Sequence, residues 1–254
     1  MKRLSVLVLT LSWGFGGFVK LPYLQSLTDS SVVLCWEQSD SAPARIEFGL
    51  SLPPGQVVLD SSRSRCREVL ISGLVSDTCY YYRVIVNGDT SPTCRFRTPS
   101  VSMGHFRLVA YGDNRTDSAA HQQVVNRLLQ TVPPPMLLIN VGDLTENGTE
   151  EEFQTFFNIS RELLGGFPLF PAIGNHEMRN IGTFLNRFVL PGNEHYYTVR
   201  WGNAVFHVLD NYSDFSPGSE QYNWLVNQLL QDSATPSLRH IFIVFHEPPW
   251  TTSL

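Results

Sequence analysis

Residues 168–177 read PLFPAIGNHE, an apolar run that breaks at a glycine and then presents an amide, an imidazole and a carboxylate in succession. Four other stretches follow the same plan. FRLVAYGD (106–113), MLLINVGD (136–143), AVFHVLDN (204–211) and HIFIVFHE (240–247) are largely apolar and deliver Asp113, Asp143, Asp210 and His246 at their ends. Continuous rather than alternating apolar character belongs to strands covered on both faces, as in a parallel sheet. Helical periodicity fills three of the gaps, so the segment reads as successive β-α-β units.

The helices are expected to face the core through regular stripes. In DSAAHQQVVNRLLQ (117–130) these are Ala120, Val124 and Leu128, behind an Asp117 or Ser118 cap. In EEEFQTFFNISRELL (150–164) they are Phe153, Phe156 and Phe157, and in SEQYNWLVNQLL (219–230) they are Tyr222, Leu225, Val226 and Leu229.

Ligands of open α/β sheets bind beyond the carboxyl ends of the strands. Asp113, Asp143 and Asn175 follow one another at intervals of 30 and 32 residues, about one β-α-β unit each, which sets them side by side along a sheet edge. A lone Gly-Asp is ordinarily only a turn. Several strands of one domain ending in a carboxylate, an amide oxygen or an imidazole make a hard, oxygen-rich site suited to zinc, manganese or iron. Two ions bridged by a carboxylate clamp a phosphoryl group and bring the pKa of a bound water toward neutrality.

Upstream the pattern differs. SVVLCWEQ (31–38) alternates, with Val32, Leu34 and Trp36 on one face, and YYYRVIV (80–86) does the same with Tyr80, Tyr82 and Val84. Further short runs bring the total to about seven strands in roughly eighty residues, a density that suggests a small antiparallel sandwich. TPSVSMG (98–104) is a polar connector between the two regions.

Composition limits the function. The chain has 254 residues, 43% hydrophobic and 16% charged, enough for one large or two modest domains. A net charge of -5 provides no basic footprint for nucleic acid or an anionic membrane. Phosphate can still be bound if metal ions invert the local charge. Lys2 and Arg3 followed by an apolar stretch to Val19 fit a secretory signal, and the glycines and short length fit a membrane anchor less well. Secretion or periplasmic export is therefore expected, with no membrane span after signal removal. Cys35, Cys66, Cys79 and Cys94, an even count behind an export signal, suggest up to two disulfides in any of three pairings.

YGDNR, VGDLTENG, AIGNHE and IVFHEPP, in this order, resemble four blocks of the calcineurin-like metallophosphoesterases. LPYLQSLTDSSVVLCW and LVSDTCYYYRV resemble the fibronectin type III-like domain that precedes the catalytic domain in the purple acid phosphatase branch. The resemblance implies a signal peptide at 1–19, an all-β immunoglobulin/fibronectin III-like sandwich at 20–98, and an α/β metallophosphoesterase domain of the four-layer αββα type at 105–254. It also implies two metal ions of iron, zinc or manganese. Asp113 would bind the first, Asp143 bridge both, and Asn175 and His246 bind the second. His176 would stabilise the phosphorus centre or protonate the leaving oxygen, Glu177 would orient its ring, and a metal-bound hydroxide would attack a phosphate ester.

Three departures stand out. Arg115 occupies a position where the broad family has histidine and purple acid phosphatases have glycine; it fits either a phosphate clamp or a salt bridge, for instance to Asp117. Glu146 stands where purple acid phosphatases have a metal-binding tyrosine, so a carboxylate is expected to take over that coordination. The closing G-H-x-H block of the family is not found, so the α/β domain is expected to be incomplete, and an inactive fragment acting at most as a binding module is the competing expectation. A phosphodiesterase or nucleotidase on the same fold is the nearer alternative to a monoesterase. Asn114 and Asn147 head N-x-S/T triplets inside the metal blocks, as Asn158 and Asn211 do elsewhere, and the first two are expected to be unmodified.

Overall fold

The computed structural model describes residues 17–248 apart from 101 and 103. The expected export signal lies outside the described residues up to residue 16. Phe18 and Val19, within the range assigned to it, already belong to the first strand.

Strands β1 (Phe18–Gln25), β2 (Ser31–Gln38) and β5 (Cys66–Ser72) form one antiparallel sheet. The facing sheet is built from β4 (Gln56–Asp60), β3 (Ala44–Gly49) and β6 (Cys79–Val86), with β7 (Asp89–Thr90) and β8 (Cys94–Arg97) both paired to β6. Val32, Leu34 and Trp36 point into the space between the sheets, as do Tyr80, Tyr82 and Val84. The Tyr80 hydroxyl accepts the Val75 N–H at 2.9 Å, the tyrosine corner of a fibronectin III-like sandwich.

All four cysteines are free, contrary to the disulfides expected from their number. Within each sheet the register opposes no two of them: Cys35 faces Glu68, Cys66 faces Glu37, Cys79 faces Arg97 and Cys94 faces Tyr82.

Downstream, β9 (Leu108–Tyr111), β10 (Leu137–Asn140) and β11 (Leu169–Pro171) form a parallel sheet in the order β11-β10-β9. Helices α1 (Ser118–Leu129) and α2 (Glu150–Gly166) make the two crossovers and pack on each other. A short 3-10 turn (Glu177–Asn180) and α3 (Ile181–Leu185) then lead to a second sheet, β12 (Tyr197–Trp201), β13 (Ala204–Val208) and β14 (His240–Val244). There β13 and β14 run parallel around helix α4 (Glu220–Ser233). Helices, sheet, sheet and helix give the α/β metallophosphoesterase architecture.

Helix α2 starts with a reciprocal capping box between Thr149 and Glu152, and buries Phe153, Phe156 and Phe157 as its periodicity predicts. The other two helices are rotated from their expected faces. In α1 the buried residues are His121 and Val125, because the His121 ring stacks on Phe156 with centroids 5.3 Å apart, and Val124 is exposed. In α4, Gln221 and Asp232 are buried while Tyr222 and Val226 are exposed. Asp232 accepts from Arg200 and pairs with His207, both at 2.6 Å, and Gln221 accepts the Asp210 N–H at 2.8 Å. These hydrogen bonds outweigh the apolar stripe. Ile241, Phe242 and Ile243 of the edge strand β14 are exposed to about the same degree as Tyr222 and Val226.

The two units share one core. The Tyr23 ring lies 4.7 Å from that of Phe157, and the Tyr82 hydroxyl donates to the Gly165 carbonyl at 2.8 Å. A Cβ at Gly165 would stand 2.8 Å from the Cys94 sulfur, so the sandwich and α2 meet there without room for a side chain. Buried Lys20 pairs with Glu37 and with Glu150, and Arg187 joins the same two carboxylates.

Candidate metal centre

The loops that follow β9, β10, β11 and β14 bring Asp113, Asp143, Asn175 and His246 together. Ligand atoms of Asp113, Asp143 and His246 all lie within 4.8 Å of one another. Asn175 Oδ1 stands 3.2 Å from His246 Nε2, which is itself 3.4 Å from Asp143 Oδ1.

The backbone is shaped for this convergence. Asp113 and Asp143 have φ of 53° and 57°, left-handed values that cost non-glycine residues energy and concentrate at functional sites. A Cβ at Gly174 would lie 2.3 Å from Asp143 Oδ1, so only glycine lets the Asn175 loop approach the central carboxylate. Asn140, an amide inside an apolar strand, donates to Asn114 Oδ1 at 3.1 Å and accepts the Gly142 N–H at 2.9 Å, tying the first two loops together.

His246 is held in one orientation. Its Nδ1 donates to the Val141 carbonyl at 2.7 Å, so the Nε2 lone pair faces the cluster. Its N–H is held by Asn211 Oδ1 at 2.9 Å. With two carboxylates, an amide oxygen and an imidazole, these donors fit one divalent ion with preference for oxygen and nitrogen ligands.

Other expected residues take different places. Asp210, one of the strand-end carboxylates, is not part of the cluster and pairs with His195 Nδ1 at 3.0 Å while accepting from Ser213 at 2.6 Å. Glu177 does not orient the His176 ring. Its Oε2 accepts the N–H groups of Asp143 (2.8 Å) and Gly174 (3.1 Å), and its Oε1 accepts the Thr145 N–H at 3.1 Å. Burial raises its pKa, and these backbone donors oppose the rise. The ring is held instead by the Glu146 carbonyl, which accepts from His176 Nδ1 at 2.5 Å.

Arg115 does not pair with Asp117, whose carboxylate caps α1 by accepting from Ala119 and Ala120. Its guanidinium enters the centre, with Nε 3.1 Å from Asp143 Oδ2 and Nη1 3.2 Å from Glu146 Oε2 and 2.6 Å from His176 Nε2. Glu146 is thus directed at guanidinium groups, Arg115 and also Arg179, rather than at the Asp113–His246 cluster. The roles of Asn140, Asn114, Asn211 and the Val141 carbonyl were not anticipated; only the amide within the strand LLIN offered a signal.

A chain with this fold and this centre is a metallophosphoesterase in architecture. Residues 82–253 match the calcineurin-like phosphoesterase family, and the chain belongs to it. Among relatives from Arabidopsis thaliana, purple acid phosphatase 15 is 28% identical over 253 residues, covering 80% of this chain and 45% of that protein. The probable purple acid phosphatase 20 is 30% identical over 207 residues, covering 73% and 45%. The chain spans about half the length of these relatives. The purple acid phosphatase PPD1 from yellow lupin superposes with a TM-score of 0.68 at 16% identity, over 82% of this chain and 48% of that one. PhoD gives 0.68 at 14% identity, over 89% and 62%. No helix among the described residues is long and apolar enough to cross a membrane.

Proposed function

We propose that the chain belongs to an exported, metal-dependent phosphatase that hydrolyses phosphate monoesters. The observation that carries this reading is the convergence of Asp113, Asp143, Asn175 and His246, with donor atoms of three of them within 4.8 Å. A divalent ion held by Asp113, Asp143, Asn175 and His246 would supply a water of lowered pKa and polarise the phosphoryl oxygens. Export rests on the sequence pattern of Lys2, Arg3 and the apolar stretch to Val19.

The remaining chemistry falls to the protein's own groups. Arg115 carries several N–H donors into the centre, and its fixed fork suits the non-bridging oxygens of a phosphate. His176, buried beside it, has its Nδ1 hydrogen committed to the Glu146 carbonyl. It can therefore donate to a leaving oxygen only from Nε2, the nitrogen that now accepts from Arg115. Glu177 holds the Asp143 and Gly174 backbones in register behind them.

The test is a panel of aryl and alkyl phosphate monoesters against diesters and nucleotides, assayed with manganese or zinc, beside Asp143→Asn. Monoester turnover that vanishes with Asp143→Asn, together with the bound metal, is expected. Turnover of diesters alone would move the assignment to a phosphodiesterase, and activity surviving in Asp143→Asn would remove the metal centre from the reaction.

A further inference from the structure

Given the divalent-ion reading of this site, we propose that the centre holds a single metal ion and that the Arg115 guanidinium serves as its second cation. Asp143 is the residue on which the distinction turns. Two ions can share a carboxylate through both of its oxygens or through one, and in either case the second ion needs a further protein donor beside it. Here Oδ1 faces the ion side, 3.4 Å from His246 Nε2, and accepts the His176 N–H at 3.2 Å. Oδ2 faces the other way and meets Arg115 Nε at 3.1 Å.

Glu146 completes the arrangement. Its side chain would be the natural donor to an ion on the Oδ2 side, yet its Oε2 pairs with Arg115 Nη1 at 3.2 Å and its Oε1 lies 3.8 Å from Arg179 Nη1. The guanidinium therefore lies between both carboxylates that a second ion would use. The guanidinium is a fixed cation, and like-charge repulsion keeps a divalent ion from the same place.

Asp143 thus bridges a metal ion and a guanidinium. A phosphate would still meet two positive centres on either side of one carboxylate, one offering Lewis acidity and the other a planar fork of donors. The Arg115 side chain is 31% exposed and that of Asp143 2%, so the fork is the accessible partner of the pair.

Metal counting tests this without any assay of turnover. The full chain, saturated with Mn2+ and freed of excess, should contain one equivalent by elemental analysis and give the electron paramagnetic resonance spectrum of an isolated ion. Arg115→His exchanges the fixed cation for a neutral ligand and should raise the count to two, with an exchange-coupled spectrum. Two equivalents in the wild-type protein, or one in a folded Arg115→His variant, would overturn the single-ion arrangement. A wild-type protein that takes up no Mn2+ would overturn the metal-dependent reading along with it. If Arg115→His fails to fold, the wild-type count and spectrum decide alone.

Discussion

Glu177 has no solvent contact, and its two oxygens accept from the main chain of Asp143, Gly174 and Thr145. Replacing it by glutamine would leave one oxygen and set an NH2 against buried N–H groups. Leaving such donors unpaired costs about 1–3 kcal/mol each. Glu177→Gln should accordingly lower Tm by several degrees, on the order of 2–4 °C per kcal/mol for a chain of this size. It should also weaken Mn2+ binding, as calorimetric titration would show; unchanged affinity would mean that the Asp143 loop keeps its shape unaided. The residues that converge, Asp113, Asp143, Asn175 and His246, were legible in the sequence because each follows an apolar strand with a distinctive side chain. The backing of Asp143 by Glu177 and of His246 by the Val141 carbonyl was not, because bonds to the main chain leave no trace in residue type. Arg115 was legible as a charge near the centre but not as a partner of Asp143, which depends on a rotamer rather than on spacing.

The elements divide in the same way. Strand β12, antiparallel to β13, was not read from the sequence, whereas the β-α-β units of β9, β10 and β11 followed from apolar runs at regular intervals and α2 followed from its phenylalanines. The faces of α1 and α4 did not, because hydropathy ranks His121, Gln221 and Asp232 as surface residues while their partners lie on distant elements. His121 gives this a thermodynamic consequence. Burial lowers its pKa to about 4, against an ordinary value near 6.5. Between those values the unfolded chain binds a proton that the folded chain refuses, so stability is lost as pH falls from about 6.5 to about 4. His121→Phe, which keeps a ring against Phe156, should flatten the acid limb of a Tm-versus-pH profile across that window. A profile with unchanged slope would show that the imidazole is already free to protonate in the folded protein.

At the scale of the whole molecule, the two domains were predicted from a change of periodicity, whereas their union was not. Lys20, Glu37, Glu150 and Arg187 form a charge network that joins β1 and β2 to α2 and the segment after α3, and Tyr23 and Tyr82 add aromatic and hydrogen-bonded contacts. Lys20 is buried, and leaving its charge without a partner is strongly destabilising, so the domains should not open independently. Native-state hydrogen exchange under rising denaturant should show the peptides of β2 and β13 losing protection together. Protection lost first from β13 alone would mark two separate cooperative units.

The close approach at Gly165 makes Cys94 a built-in gauge of that union. Its sulfur lies where α2 passes without a side chain, and burial raises its pKa, so little thiolate is available to a labelling reagent. Cys66, on the exposed end of its strand, should react first with a maleimide, and Cys94 should lag far behind. A variant that parts the domains, such as Gly165→Val, should remove that lag, and the ratio of the two labelling rates would read out domain separation from a single unmodified thiol pair.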